Sequence, residues 1–175
     1  FEILAICCTG MREEFVLLDD DGEEIKVTLT DESMKYGYQI LEEFGEEMYE
    51  KSGHWPVPNW MAGAILPWLR KYRTEAYNQI SAILMISDWV NFKLTGIKAT
   101  EGTCACETSL FNMADGGWDK ALMEYLGLDA SIFPDVKENG RVLGFVQGTI
   151  PDGIRGLSGV SVVTGGADTQ CGLLG

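Results

Sequence analysis

Apolar and polar positions divide this chain into short strands and amphipathic helices. Ile3 to Cys8 is an unbroken apolar run closed by Thr9-Gly10, a pattern that predicts a strand covered on both faces. Opening directly on a core strand also carries the expectation of a missing upstream segment. Phe15–Leu18 and Ile25–Leu29 are short strand-like runs on either side of Asp19-Asp20-Asp21-Gly22-Glu23-Glu24, and the spacing predicts a hairpin. From Tyr36 to Tyr49, Ile40, Leu41, Phe44 and Met48 recur at helical spacing with Glu42, Glu43, Glu46 and Glu47 opposite, so a helix with a solvated acidic face is expected.

The segment from Gly53 to Asn59 holds two prolines and reads as a loop. Trp60 to Tyr72 reads as a helix, with Pro67 near its start or at a kink. Ile80 to Ile86 is another apolar run. Ser87 is placed to cap a helix over Asp88–Thr95, and Gly96 to close it. Gly116-Gly117 precede an expected helix from Trp118 to Leu126 that ends at Gly127, and Asn139-Gly140 marks a turn. Val160–Val163 is the last strand, leading through Thr164-Gly165-Gly166-Ala167-Asp168 into an expected helix over Thr169–Leu174. The class is mixed α/β, with no internal repeat, low-complexity tract or long linker.

With 175 residues, 46% of them apolar, the chain is long enough for one buried core or for much of a larger domain. A net charge of −14 disfavours nucleic acid and anionic membrane surfaces, which both need positive potential. No stretch reaches the roughly 18–20 apolar residues of a membrane span, and the first residues lack a basic signal region, so a soluble cytoplasmic protein is expected. The five cysteines stand in no disulfide or zinc spacing and read as buried free thiols. His54 is the only histidine, so no metal site and no Ser-His-Asp hydrolase is expected.

An apolar strand ending in Gly-Gly-Ala-Asp puts a carboxylate at the carboxyl edge of a sheet, where α/β folds bind ligands. Gly165 and Gly166 would let a phosphoryl group approach the backbone, and the helix start at Thr169 would offer N–H groups to an anion. On physical grounds alone Asp168 reads first as a helix cap and second as a catalyst. Neither the G-x-G-x-x-G fingerprint nor a Walker A sequence is present.

Three ordered elements carry a resemblance: Ile6-Cys7-Cys8-Thr9-Gly10-Met11-Arg12-Glu13, Ile86 through Gly96, and Val162-Val163-Thr164-Gly165-Gly166-Ala167-Asp168-Thr169-Gln170. Together they resemble the FGGY carbohydrate kinases, which include glycerol kinase, xylulokinase, rhamnulokinase and the autoinducer-2 kinases. Met11-Arg12-Glu13-Glu14 and Met85-Ile86-Ser87-Asp88-Trp89 look most like the autoinducer-2 branch. The resemblance implies a ribonuclease H-like domain of the actin-like ATPase superfamily, incomplete at its leading strands. Residues 1–175 would be most of the first, sugar-binding domain, without the second ATPase domain.

By that resemblance Asp168 is the general base that takes the proton of a sugar hydroxyl as it attacks the γ-phosphate of ATP bound with Mg²⁺. Arg12 and Glu13 match positions that hold the polyol, the alternative being a surface ion pair at a strand end. Trp60 aligns with an aromatic position of the sugar site in glycerol kinase, the alternative being a core residue. Asp31 falls in a segment that shapes the sugar pocket, although Ser33 stands where many members carry arginine, and Ile65 replaces a lysine of the family. Gly165, Gly166 and Thr169 would lie near the phosphate. The implied partner is a small sugar or polyol, with homo-oligomerisation left open and most nucleotide contacts outside this chain. The chain alone is expected to be inactive; the alternative is a non-catalytic sugar- or partner-binding domain of the same descent.

Overall fold

Thr30 sets the first helix boundary. Its hydroxyl accepts from the Ser33 N–H and the Ser33 hydroxyl accepts from the Thr30 N–H, a reciprocal cap that starts the helix five residues before Tyr36. In the computed structural model, which describes residues 2–147 and 156–174, the helices are α1 (Asp31–Ser52), α2 (Ala62–Tyr72), α3 (Thr74–Tyr77), α4 (Ile86–Thr95), α5 (Gly102–Cys106), α6 (Lys120–Tyr125) and α7 (Asp168–Leu174). The strands are β1 (Ala5–Cys7), β2 (Phe15–Leu18), β3 (Ala82–Met85), β4 (Ala99–Glu101), β5 (Phe111–Asn112), β6 (Gly117–Trp118), β7 (Asp135–Lys137), β8 (Val142–Phe145) and β9 (Ser161–Val163).

One sheet has the order β1-β9-β8, with β1 parallel to β9 and β8 antiparallel to it. Ile6 lies opposite Val162, whose side chain is fully buried. The remaining strands pair as β2 with β3, β4 with β7, and β5 with β6. The main core gathers Leu17, Ile40, Met48, Leu66, Trp68, Leu69, Ile83 and Leu110 between α1, α2 and the β2–β3 pair. Every residue of α2 from Ala62 to Leu69 is buried, as expected of a helix apolar on all sides. Burying each large apolar side chain there contributes about 2 kcal/mol, enough to make α2 the spine of the domain.

Several expectations give way to tertiary context. β1 has one ladder partner among the described residues, so Ala5 and Cys7 are exposed and Leu4 is 75% exposed instead of covered on both faces. The turn after β2 forms, with the Ile25 N–H donating to the Leu17 carbonyl at 2.8 Å. The hairpin then reduces to a single bridge between Leu18 and Glu24, because β2 zips along its full length to β3 and residues 25–29 turn their apolar side chains into the core. Pro67 lies in the interior of α2, where it leaves the Gly63 carbonyl without its helical donor.

Ser87 does not cap α4. Met85 holds that position and Ser87 is buried in the first turn, its hydroxyl 3.5 Å from the Cys104 sulfur, while Gly96 closes the helix at φ 75° as expected. Trp118 belongs to a strand, and α6 begins after Asp119, whose carboxylate accepts from the Leu122 N–H at 3.1 Å. All five cysteines are free, but only Cys104 and Cys106 are buried; Cys7 is exposed because β1 is. Among the described residues no helix is long and apolar enough to cross a membrane.

Candidate functional site

Parallel pairing sends the carboxyl ends of β1 and β9 out of the same edge of the sheet. The pairing continues past both strands: Gly10 bridges Ala167, the Asp168 N–H donates to the Gly10 carbonyl at 3.3 Å, and the Thr9 hydroxyl donates to the Gly166 carbonyl at 2.8 Å. Two residues beyond Gly10 and one beyond Ala167, Arg12 and Asp168 therefore meet. With Met11, Glu13 and Thr169 they line an open hollow of 380 Å³.

A larger hollow of 570 Å³ adjoins it and shares Met11, Arg12 and Glu13. Its floor is apolar, from Phe15, Leu17, Ile25, Val27, Leu29 and Ile65, and Asn59 and Trp60 stand on its wall. Trp60 is 62% exposed, so it is not a core residue. Of the three non-glycine residues with left-handed backbone among the described residues, two, Glu13 at φ 71° and Asn59 at φ 60°, line this hollow. Such backbone costs about 1 kcal/mol per residue and persists only where surrounding contacts hold it. Here Asn59 Nδ2 donates to the Thr30 carbonyl at 3.4 Å.

Asp168 is exposed and opens α7, with Oδ1 accepting from the Thr169 N–H at 2.7 Å and from its hydroxyl at 3.2 Å. Asp168 is thus the first helical residue of α7, one position past the cap, and its Oδ2 makes no hydrogen bond among the described residues. The segment before Asp168 is fastened from below. Glu101 accepts from the Thr103 hydroxyl and from Asn139 Nδ2, Thr103 Oγ1 accepts the Ala167 N–H at 2.8 Å, and Asn139 also donates to the Gly165 carbonyl at 2.7 Å. Space beside the two glycines is taken by the protein: a Cβ on Gly165 would fall 1.9 Å from the Cys8 carbonyl oxygen, and one on Gly166 would fall 3.3 Å from the Cys171 sulfur. The absent side chain of Gly165 lets the chain leaving β9 close up on the chain leaving β1.

Arg12 pairs with Glu107 at 3.5 Å and not with Glu13. Glu107 is 1% exposed, and His54 Nδ1 lies 3.4 Å from its other oxygen. Burial pushes the Glu107 carboxyl up to about 7 against the Arg12 cation, with Glu13 and Asp168 adding to the rise. Burial and Arg12 lower the His54 imidazole. Asp31 opens α1, exposed, and lines neither hollow, while Ser33, standing at the arginine position, is spent on the helix cap. Glu101, Glu107 and Asn59 were not foreseen. No local pattern marks a carboxylate as buried, and only the lone histidine was visible as unusual.

The family profile described as "FGGY family of carbohydrate kinases, N-terminal domain" matches residues 1–175. The chain belongs to this family. Among curated relatives it is 32% identical over 182 residues to the autoinducer-2 kinase of Salmonella choleraesuis (strain SC-B67) and 33% identical over 177 residues to that of Escherichia coli (strain SMS-3-5 / SECEC). Each alignment covers 99% of this chain and 33% of the relative, so the chain spans about a third of their length. Among solved structures, xylulose kinase from Rhodospirillum rubrum superposes at TM-score 0.82 with 25% identity, covering 99% of this chain and 36% of that one. Gluconate kinase from Lactobacillus acidophilus does so at 0.82 with 23% identity, covering 96% and 35%. The fold is the amino-terminal part of these kinases, of actin-like ATPase type.

Proposed function

We propose that residues 1–175 form the sugar-binding part of an ATP-dependent carbohydrate kinase whose second, ATPase domain lies outside them, and that Asp168 is its general base. The observation that carries this reading is the convergence of Arg12, Glu13 and Asp168 on one open hollow at the carboxyl edge of parallel strands. A sugar hydroxyl is too weakly acidic to ionise at neutral pH, so it needs a carboxylate within hydrogen-bond reach that orients it and takes its proton. The Oδ2 atom of Asp168 is free for that task. Glu13 accepts from neighbouring hydroxyls and the Arg12 fork donates to them.

Trp60 offers an apolar face to the carbon skeleton of the substrate, and Asp31, next to the Thr30 carbonyl that holds Asn59, is the outermost member of the set. Thr169, with Gly165 and Gly166 behind it, is the phosphate-side position. ATP with Mg²⁺ is carried over from the family. The work this reading gives the described residues is to bind, orient and deprotonate the sugar. The substrate class is a small sugar or polyol.

The test is a panel of sugars and polyols presented with MgATP to the complete polypeptide, with ADP release and sugar-phosphate formation followed together. Formation of one sugar phosphate in step with ADP supports the reading. Sugar binding without phosphoryl transfer under any condition would instead establish a binding domain.

A further inference from the structure

We propose that Glu107 is a positioning residue of the sugar site, holding the Arg12 guanidinium from behind so that its remaining donors face the hollow. The inference rests on the kinase reading for its consequence, but the geometry stands on its own. Glu107 lies outside the lining of either hollow and, among the described residues, bonds to the site through Arg12. Its backbone is clamped: its N–H donates to the Cys104 carbonyl at 3.1 Å, the next carbonyl, of Thr108, accepts the Gly63 N–H at 2.8 Å, and Ser109 turns through φ 63°. A buried acid fixed between the end of α5 and the buried start of α2 is a rigid anchor for a half-exposed arginine.

Glu107 Oε2 is buried and makes no hydrogen bond among the described residues, His54 Nδ1 at 3.4 Å being its near neighbour. Cores rarely keep such a group without a use, since it forfeits its hydration. The charged and titratable groups facing this carboxyl are Arg12, Glu13, His54 and Asp168: two acids, one fixed cation and one imidazole. Deprotonated, Glu107 holds Arg12; protonated, it releases it. Sugar affinity should therefore strengthen as the pH rises through about 7.

The experiment compares the complete polypeptide with Glu107→Gln and Arg12→Gln. His54 is followed by NMR, its ring signal identified by its loss in His54→Gln, and sugar affinity and turnover are measured from pH 6 to 8. With the negative charge gone, Glu107→Gln should move the His54 titration to lower pH. Arg12→Gln, with the positive charge gone, should move it to higher pH. Glu107→Gln should also raise KM for the sugar about tenfold with kcat within about threefold, the size of one charge-assisted hydrogen bond, and flatten the pH dependence of KM. An unmoved His54 titration in both variants, or a wild-type KM with an unchanged pH profile, would overturn the proposal. Failure of the wild-type protein to bind or phosphorylate any sugar would count against the kinase reading alone, because the His54 shifts judge the cluster without a substrate.

Discussion

Replacing Asp88 by Asn should make the protein more stable at pH 8 and remove much of its pH dependence. Asp88 sits in the first turn of α4, 4% exposed, and its Oδ2 makes no hydrogen bond among the described residues. Burial raises its carboxyl from 3.8 to about 7, Glu101 adds to the rise, and the Thr100 hydroxyl and the Met85 N–H oppose it. Because the folded state holds the proton more tightly than the unfolded state, stability falls as the pH rises between those two values. Each pH unit in that window is worth about 1.4 kcal/mol, so wild type should lose about 2–3 kcal/mol between pH 5 and pH 8 through this group. Glu107, raised to about 7, contributes in the same direction, as does self-repulsion from a net charge of −14. Both persist in Asp88→Asn, so the difference between the two proteins isolates Asp88. Urea unfolding at pH 5 and pH 8, with matched m-values, reads it directly. Equal slopes in the two proteins would refute the buried, proton-holding Asp88.

Two further expectations follow from the backbone. Gly165→Ala places a methyl group 1.9 Å from the Cys8 carbonyl oxygen and must part β1 from β9, costing about 3 kcal/mol in urea unfolding, whereas Gly172→Ala meets nothing within 4 Å inside α7 and should stabilise by about 0.5–1 kcal/mol. Equal midpoints for the two variants would contradict the close strand approach. Thr30→Ala removes one half of the reciprocal cap of α1 and should cost about 1 kcal/mol, read as a lower urea midpoint at unchanged m-value.

Local chemistry was legible where it is self-contained. Gly96 closes α4 in the left-handed region, as its place after Thr95 required, and the strand running into Thr164-Gly165-Gly166-Ala167-Asp168 ends at a helix start on a sheet edge. What depended on distant partners was not legible. Phe15–Leu18 shows strand character without naming its mate, and a partner about seventy residues away outcompetes the adjacent run because β3 is wholly buried and matches it residue for residue. Ser87 has the chemistry of a cap, yet the helix begins two residues earlier than expected because Met85 leaves the strand directly into it. A close approach is present at Gly165, where the chain leaving β9 meets the Cys8 carbonyl, while Gly166 faces Cys171, Asn139 and Thr103. Glu107 and Glu101 look like ordinary surface acids in the sequence; their burial becomes visible in the packing of α5 against β4 and in the bond of the chain after α5 to the start of α2.

The most direct test of the central claim compares Asp168→Asn with wild type in the complete polypeptide, measuring sugar binding by calorimetry and ADP release with the same sugar. The account predicts a turnover lower by about 10²–10⁴-fold, the range of a lost general base, with the sugar Kd within a few-fold of wild type. Near-normal turnover in Asp168→Asn would contradict it and leave Asp168 as a first-turn residue of α7 alone.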